Sequence, residues 1–288
     1  MQFACIHTHT TFCDGVDDVE TCCRAAMEKG LSSLGFSAHA PITKKSGIKS
    51  EWNLRDDRLE EYLESIRSAK KRWEGKLPIY IGLEVDFIDN CMGPADSDYA
   101  EMGLDYIIGS VHFVIPKRGE PFTVDDKAEI VERGIKESYG NDPEALVKAY
   151  YDAEEAMIRK GGFDLLGHPD LIKKNNCGGR FFSESTDVYR KRTSSIAVLM
   201  AAEGKPAEIN TGGINRGKIK DCYPSPAFLK LFQENGVPMV INADAHRASD
   251  LDGNYSIARE SLLESGYTET SLFSGRKDGL PLWQNIKL

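Results

Sequence analysis

The chain has 288 residues, 41% of them hydrophobic and 28% charged, with a formal net charge of −9. That is the make-up of a globular enzyme built on one large core, and the acidic balance argues against nucleic acid held by phosphate-backbone contacts. No apolar run is long enough to span a bilayer, so no membrane partner is expected.

Seven short apolar runs are expected as strands, and most of them end on a side chain with metal-binding chemistry. Residues 3–6 run into His7, 34–37 into His39, 79–83 into Glu84 and 106–109 into His112. Residues 163–166 run into His168, 207–209 into Asn210, and 239–241 toward Asp244 and His246. Such runs suit parallel strands buried on both faces. Helical patterns lie between them. One is capped at Asp17 or Asp18 and closes near Gly30; residues 55–74 place Leu59, Tyr62, Leu63 and Ile66 on one face. Asp142-Pro143 is a cap followed by a first-turn proline, and Ser225-Pro226 opens a helix that ends at Gly236. The alternation predicts an α/β fold, a closed or nearly closed barrel of seven units with its site at the C-terminal strand ends. The chain is read as one domain, 1–288, with a longer helical insertion around 114–162. The polar loop 116–126 is placed to fold over the mouth or to sit as a surface insertion. A doubly wound open sheet is the alternative, and it would gather ligands at one crevice only.

All six histidines fall in these motifs. His7 and His9, two apart on a strand, point to one side. Asp14, before Gly15, returns a carboxylate to the same mouth or serves as a turn residue. Glu84 ends an apolar strand, where an unpaired carboxylate is costly; it either bridges cations or sits in a buried ion pair. Asp86 shares its face as a supporting group. His112 and His168 alone could be hydrogen-bonded core histidines, and Asp244 with His246 repeats the spacing of two. Seven cysteines, an odd number without a C-x-x-C pair, read as reduced thiols of a cytoplasmic protein. The first strand begins within three residues of Met1, which leaves no room for a signal peptide.

The motifs HTHTTFCDG, FSAHAP, GLEVDF, GSVHFV, LGHPDLI, EINTGG and NADAH, in this order across residues 7–246, resemble the PHP (polymerase and histidinol phosphatase) family. DYIIGSVHFV and GHPDLIKK are most similar to its monofunctional histidinol-phosphate phosphatases. The resemblance implies a distorted (β/α)7 barrel with three divalent metal ions: zinc, manganese or iron. It implies that His7, His9, Glu84 and Asp244 hold the first metal. Glu84, His112 and His168 would hold the second, and Asp14, His39 and His246 the third. With three carboxylates and a bridging hydroxide, such a centre carries a net charge of about +2, which suits a phosphate monoester dianion.

The implied activity is hydrolysis of L-histidinol phosphate to L-histidinol and phosphate, by in-line attack of a metal-bridging hydroxide. Glu84 and Asp244 are the expected catalytic residues, with Asp244 or a bound water relaying the proton to the leaving oxygen. Arg216 is the first choice for binding the small phosphorylated substrate, followed by Arg180, Lys173 and Asn210. The competing readings are a phosphodiesterase or nucleotidase acting on small nucleotides, and a non-catalytic metal-binding module, which would need closed coordination spheres.

Overall fold

A computed structural model describes residues 3–288. In chain order its elements are α1 (Val19–Glu28), β1 (Leu34–His39), α2 (Leu59–Arg72), β2 (Ile79–Asp86), β3 (Tyr106–Ser110), β4 (Phe113–Val114) and β5 (Phe122–Thr123). There follow α3 (Ala128–Ser138), α4 (Pro143–Lys160), β6 (Leu165–Leu166), α5 (Asp187–Glu203), β7 (Ala207–Asn210), α6 (Gly212–Asn215) and α7 (Pro226–Glu234). The chain ends with β8 (Met239–Asn242), α8 (Tyr255–Ser265), β9 (Glu269–Lys277) and β10 (Leu280–Lys287).

Six strands form one parallel sheet in the order β1-β2-β3-β6-β7-β8. The expected first strand, residues 3–6, is not a regular strand. It is an extended segment lying between the two edges of the sheet. Cys5 bridges Leu34 on one edge and Thr8 bridges Ala245 on the other, both in parallel sense. The amides of Gly35 and Ser37 donate to the carbonyls of Cys5 and Thr8; on the far side the His9 amide donates to Ala245 O and the Ala245 amide to His7 O. The ladder is irregular because side chains take its place: Ile6 N donates to Asn242 Oδ1 and Thr8 N to Ser37 Oγ. The sheet is therefore curled until its edges nearly meet across this segment.

The helices follow the capping chemistry. Asp18 accepts the amide of Thr21 at the start of α1. Asp142 accepts the amides of Glu144 and Ala145 ahead of Pro143 in α4. α2 buries Tyr62, Leu63, Ile66 and Ala69 against the outer face of the sheet. α5 has no dominant apolar stripe; it buries Tyr189, Thr193, Ile196, Ala197 and Met200 among charged neighbours, so no helix was expected there. The segment around 114–162, expected as an insertion, holds the β4–β5 ribbon followed by α3 and α4. Among the described residues no helix is long and apolar enough to cross a membrane.

Inside the curled sheet lies a second, smaller core of Ile6, Tyr106, Ile108, Leu165, Val240 and Phe273. Tyr106 crosses the bare backbones of Gly35 and Gly82, where a Cβ would overlap it, and its hydroxyl donates to Ile6 O. Phe273 comes from the β9–β10 hairpin, which was not anticipated. Asp278 and Gly279, both at positive φ, make its two-residue turn. The hairpin covers the end where the strands begin: Thr270 Oγ1 donates to Met239 O, and the Arg276 guanidinium bonds Asp164 and the Asp105 carbonyl. One end of the curled sheet is thus plugged by apolar side chains, leaving the other for chemistry.

Candidate metal centre

At the C-terminal strand ends nine side chains converge: His7, His9, Asp14, His39, Glu84, His112, His168, Asp244 and His246. Glu84, fully buried on β2, is the hub. Its Oε2 lies 2.9 Å from His39 Nδ1, 3.2 Å from His7 Nε2 and 3.6 Å from His9 Nε2. Its Oε1 lies 2.8 Å from His168 Nε2 and 3.7 Å from His112 Nε2, and accepts from Ser110 Oγ at 2.7 Å. Asp244 Oδ1 faces His9 Nε2 at 3.1 Å and His7 Nε2 at 3.7 Å. Asp14, in the turn after the extended segment, reaches His246 Nε2 at 3.0 Å and His39 Nε2 at 3.7 Å.

Four groups have donor atoms close enough to share a cation: His9, Asp14, His39 and His246; His7, Glu84 and His168; His7, His9 and Asp244; His39, Glu84 and His112. They overlap the sets implied by the resemblance without reproducing them: His9 joins Asp14, His39 and His246, His7 groups with Glu84 and His168, and His112 groups with Glu84 and His39. His39 faces Glu84 through one ring nitrogen and Asp14 through the other, so it stands between the two sides of the cluster.

A cation fits these residues. His7 Nε2, His9 Nε2, His39 Nδ1 and Glu84 Oε2 are buried and have no hydrogen-bond partner. Unpaired polar atoms aimed at one interior point are expensive in a folded protein. The donor set of imidazole nitrogen and carboxylate oxygen accommodates zinc, manganese or iron. Burial, reinforced by the neighbouring His246 and His39, lowers the His9 pKa to about 3 and keeps the ring neutral. Burial pushes the Glu84 carboxyl up, but His39, His7, His112 and the bond from His168 outweigh it and hold it well below the usual range.

Supporting carboxylates orient the rings. Glu208, buried on β7, sits 2.9 Å from His7 Nδ1 and accepts from His168 N, Asn210 Nδ2 and Asn242 Nδ2. An ionised Glu208 makes His7 Nδ1 the donor, so the lone pair on Nε2 points inward. Burial opposes that ionisation, and His7 and the bonds to Glu208 overcome it. Asp86, expected as a supporting group, holds His112 Nδ1 at 2.9 Å. Glu208 was overlooked in the sequence, although a carboxylate within the buried run AEIN is the same signal that marks Glu84.

Asp244 has a φ of 47°, a left-handed conformation uncommon for a residue with a side chain. Its carbonyl accepts from Arg216 Nη1 at 3.2 Å and lies 3.0 Å from His246 Nδ1, while Arg216 Nη2 donates to its Oδ2 at 3.0 Å. Burial acts against the Asp244 carboxylate, but Arg216 and His7 hold it well below its ordinary range.

Above the cluster opens a cavity of about 310 Å³, bordered also by Trp52, Asp125, Asp126, Leu171, Lys174 and Arg216. Of the four residues expected to bind substrate, Arg216 borders it. Arg180 does not; it is exposed on the surface and donates to Glu132. Lys173 is buried, with its ammonium on Cys222 O at 2.7 Å and near Asp170; in this tight turn it is the next residue, Lys174, that faces the cavity. Asn210 is fully buried, its amide spent on Glu208 and its oxygen on Gly212 N. Of the 116–126 loop, only the C-terminal end reaches the mouth.

The PHP domain family matches residues 6–212. The "Probable histidinol-phosphatase" of Deinococcus radiodurans is 27% identical over 272 residues, covering 94% of this chain and 96% of the relative. The "Histidinol-phosphatase" of Bacillus subtilis is 26% identical over 262 residues, 86% and 95% of the two chains. A crystal structure from Listeria monocytogenes, assigned as a histidinol phosphatase, superposes with a TM-score of 0.78 at 25% identity, over 88% of this chain and 98% of that one. The Lactococcus lactis histidinol phosphate phosphatase, solved with Zn, L-histidinol and phosphate, shares the fold with a TM-score of 0.67 at 20% identity, over 96% and 99%. The family match covers well over half of the chain and takes in Glu84, Glu208 and every histidine from His7 to His168, so this chain belongs to the PHP domain family.

Proposed function

We propose that the protein is a metal-dependent phosphomonoesterase that hydrolyses L-histidinol phosphate to L-histidinol and phosphate. The observation that carries this is the set of buried, unpartnered ring nitrogens and carboxylate oxygen aimed into one point beneath a small cavity. The full-length relatives named as histidinol-phosphatases support the choice of substrate. We read the fold as one distorted seven-unit barrel, the extended segment 3–9 being its seventh member, with 114–162 as its insertion.

Three divalent ions would be held as the family resemblance implies, by His7, His9, Glu84 and Asp244, by Glu84, His112 and His168, and by Asp14, His39 and His246. When bound they supply Lewis acidity, lowering the pKa of water and offsetting charge on the phosphoryl oxygens. Glu84 holds the two sides of the cluster in register through its two oxygens. Arg216 borders the cavity with its guanidinium held on Asp244, where its positive charge would attract a phosphoryl oxygen. Asp244, kept ionised by that contact, accepts the proton of the attacking water and passes it to the leaving alkoxide. Ten ligand contacts shared among three ions leave positions open for water and substrate, as catalytic sites require.

The test is phosphate release by the zinc-loaded protein from L-histidinol phosphate, set against cleavage of dinucleotides and single-stranded DNA. Rapid release from the monoester is expected. Efficient diester cleavage with no phosphate released from the monoester would remove the proposal.

A further inference from the structure

Two carboxylates border the cavity without belonging to the histidine cluster, and both follow β5. Asp126 is exposed; its carboxylate accepts its neighbour's amide, Lys127 N, and its carbonyl accepts Asn175 Nδ2. Asp125 is half-buried and faces the cavity. Its Oδ2 takes the Lys174 ammonium at 2.9 Å. Its other oxygen has no intramolecular hydrogen-bond partner among the described residues.

This arrangement matters for charge. The metal centre and Arg216 suit a phosphate dianion, and they repel any positive charge on the alcohol attached to it. A cationic leaving group therefore needs an anion beside the cluster, already out of bulk water and with a free acceptor. Asp125 meets that description and Asp126 does not. Lys174 occupies only half of the Asp125 carboxylate.

We propose that Asp125 reads the positive charge of the leaving alcohol, so that the enzyme selects phosphate monoesters of amino alcohols over uncharged ones, with Lys174 setting how strongly it does so. This rests on the phosphomonoesterase reading of the site. The competing role is mechanical: Asp125 and Lys174 could simply clasp the β5 loop to the turn at Leu171–Asn175. The two roles predict opposite behaviour. Loss of either partner opens a clasp equally. For a charge reader, losing Asp125 weakens selection, whereas losing Lys174 frees a carboxylate oxygen and strengthens it.

The experiment compares kcat/KM for 2-aminoethyl phosphate and ethyl phosphate, alongside L-histidinol phosphate, in the zinc-loaded wild type, Asp125→Asn and Lys174→Met, with the zinc content of each protein measured. The ratio of the charged to the uncharged ester should fall on the order of 10- to 100-fold in Asp125→Asn, the weight of a hydrogen bond to a charged group, and rise in Lys174→Met, at unchanged zinc content. A ratio that Asp125→Asn leaves in place, a shift of the same sign in both variants, or zinc lost from Asp125→Asn would each overturn the proposal. A wild type that ignores L-histidinol phosphate but cleaves the simple esters defeats the substrate reading alone, because the ratio still tests Asp125. A wild type that cleaves no monoester removes both.

Discussion

Glu208 shows how a residue without access to substrate governs a reactive centre. Its two oxygens meet four donors from four parts of the chain: His7, the His168 amide, Asn210 and Asn242. Replacing it by Gln keeps the shape but offers an NH2 where His7 and the His168 amide need acceptors. Glu208→Gln is expected to weaken zinc affinity on the order of 10- to 100-fold, the usual effect of losing a histidine's supporting carboxylate. Competition with a chromophoric chelator measures this, and wild-type zinc affinity in the variant would show that His7 needs no such support. At this scale most of the cluster was legible, because a histidine or carboxylate at the end of an apolar run is conspicuous. The substrate side was not. Lys173 and Lys174 are neighbours of identical type, and only the backbone of their turn decides which one faces the cavity.

At the scale of elements, three helices were legible from capping signals, α1 behind Asp18, α4 behind Asp142-Pro143 and α7 behind Ser225-Pro226, and α2 from the periodicity of its apolar face. The β9–β10 hairpin was not, despite its Asp278-Gly279 turn, because its alternation is blurred by Gly275, Arg276 and Pro281 and by a bulge between Leu282 and Trp283. Its contribution is nonetheless large. Phe273 is 2% exposed and packs on Tyr80, Tyr106 and Trp283. Phe273→Ala should cost about 3–5 kcal/mol of stability, as buried Phe-to-Ala changes do, read from the urea midpoint at unchanged m. A midpoint at the wild-type value would mean that the hairpin is an appendage and not the plug of the inner core.

For the whole molecule, the two apolar cores hold the fold and the polar cluster lies outside them, at the open end. Metal removal should therefore abolish phosphate release and lower thermal stability without unfolding the protein at room temperature. Zinc at a hundredfold excess over its Kd adds about 2.7 kcal/mol per site, a rise in Tm on the order of 5–10 °C for a chain of this size. Thermal scans with zinc and with a chelator, alongside far-UV circular dichroism, check this. An identical Tm in both would contradict a cation among these side chains.

By itself the sequence determined the alternation of apolar runs and amphipathic helices, hence a parallel α/β sheet, and it determined which residue types stand at the strand ends. Both are local properties, carried by periodicity and composition. Only the tertiary structure decided that residues 3–9 join the sheet as an irregular segment, partly through side-chain bonds, and that a C-terminal hairpin fills the inner core. It also decided that His39 stands between two groups of ligands, and that Asp125 and Lys174 share a cavity while Lys173, Arg180 and Asn210 turn elsewhere. Those outcomes depend on where a side chain points after the sheet has curled, and curling is set by contacts between residues far apart in the chain.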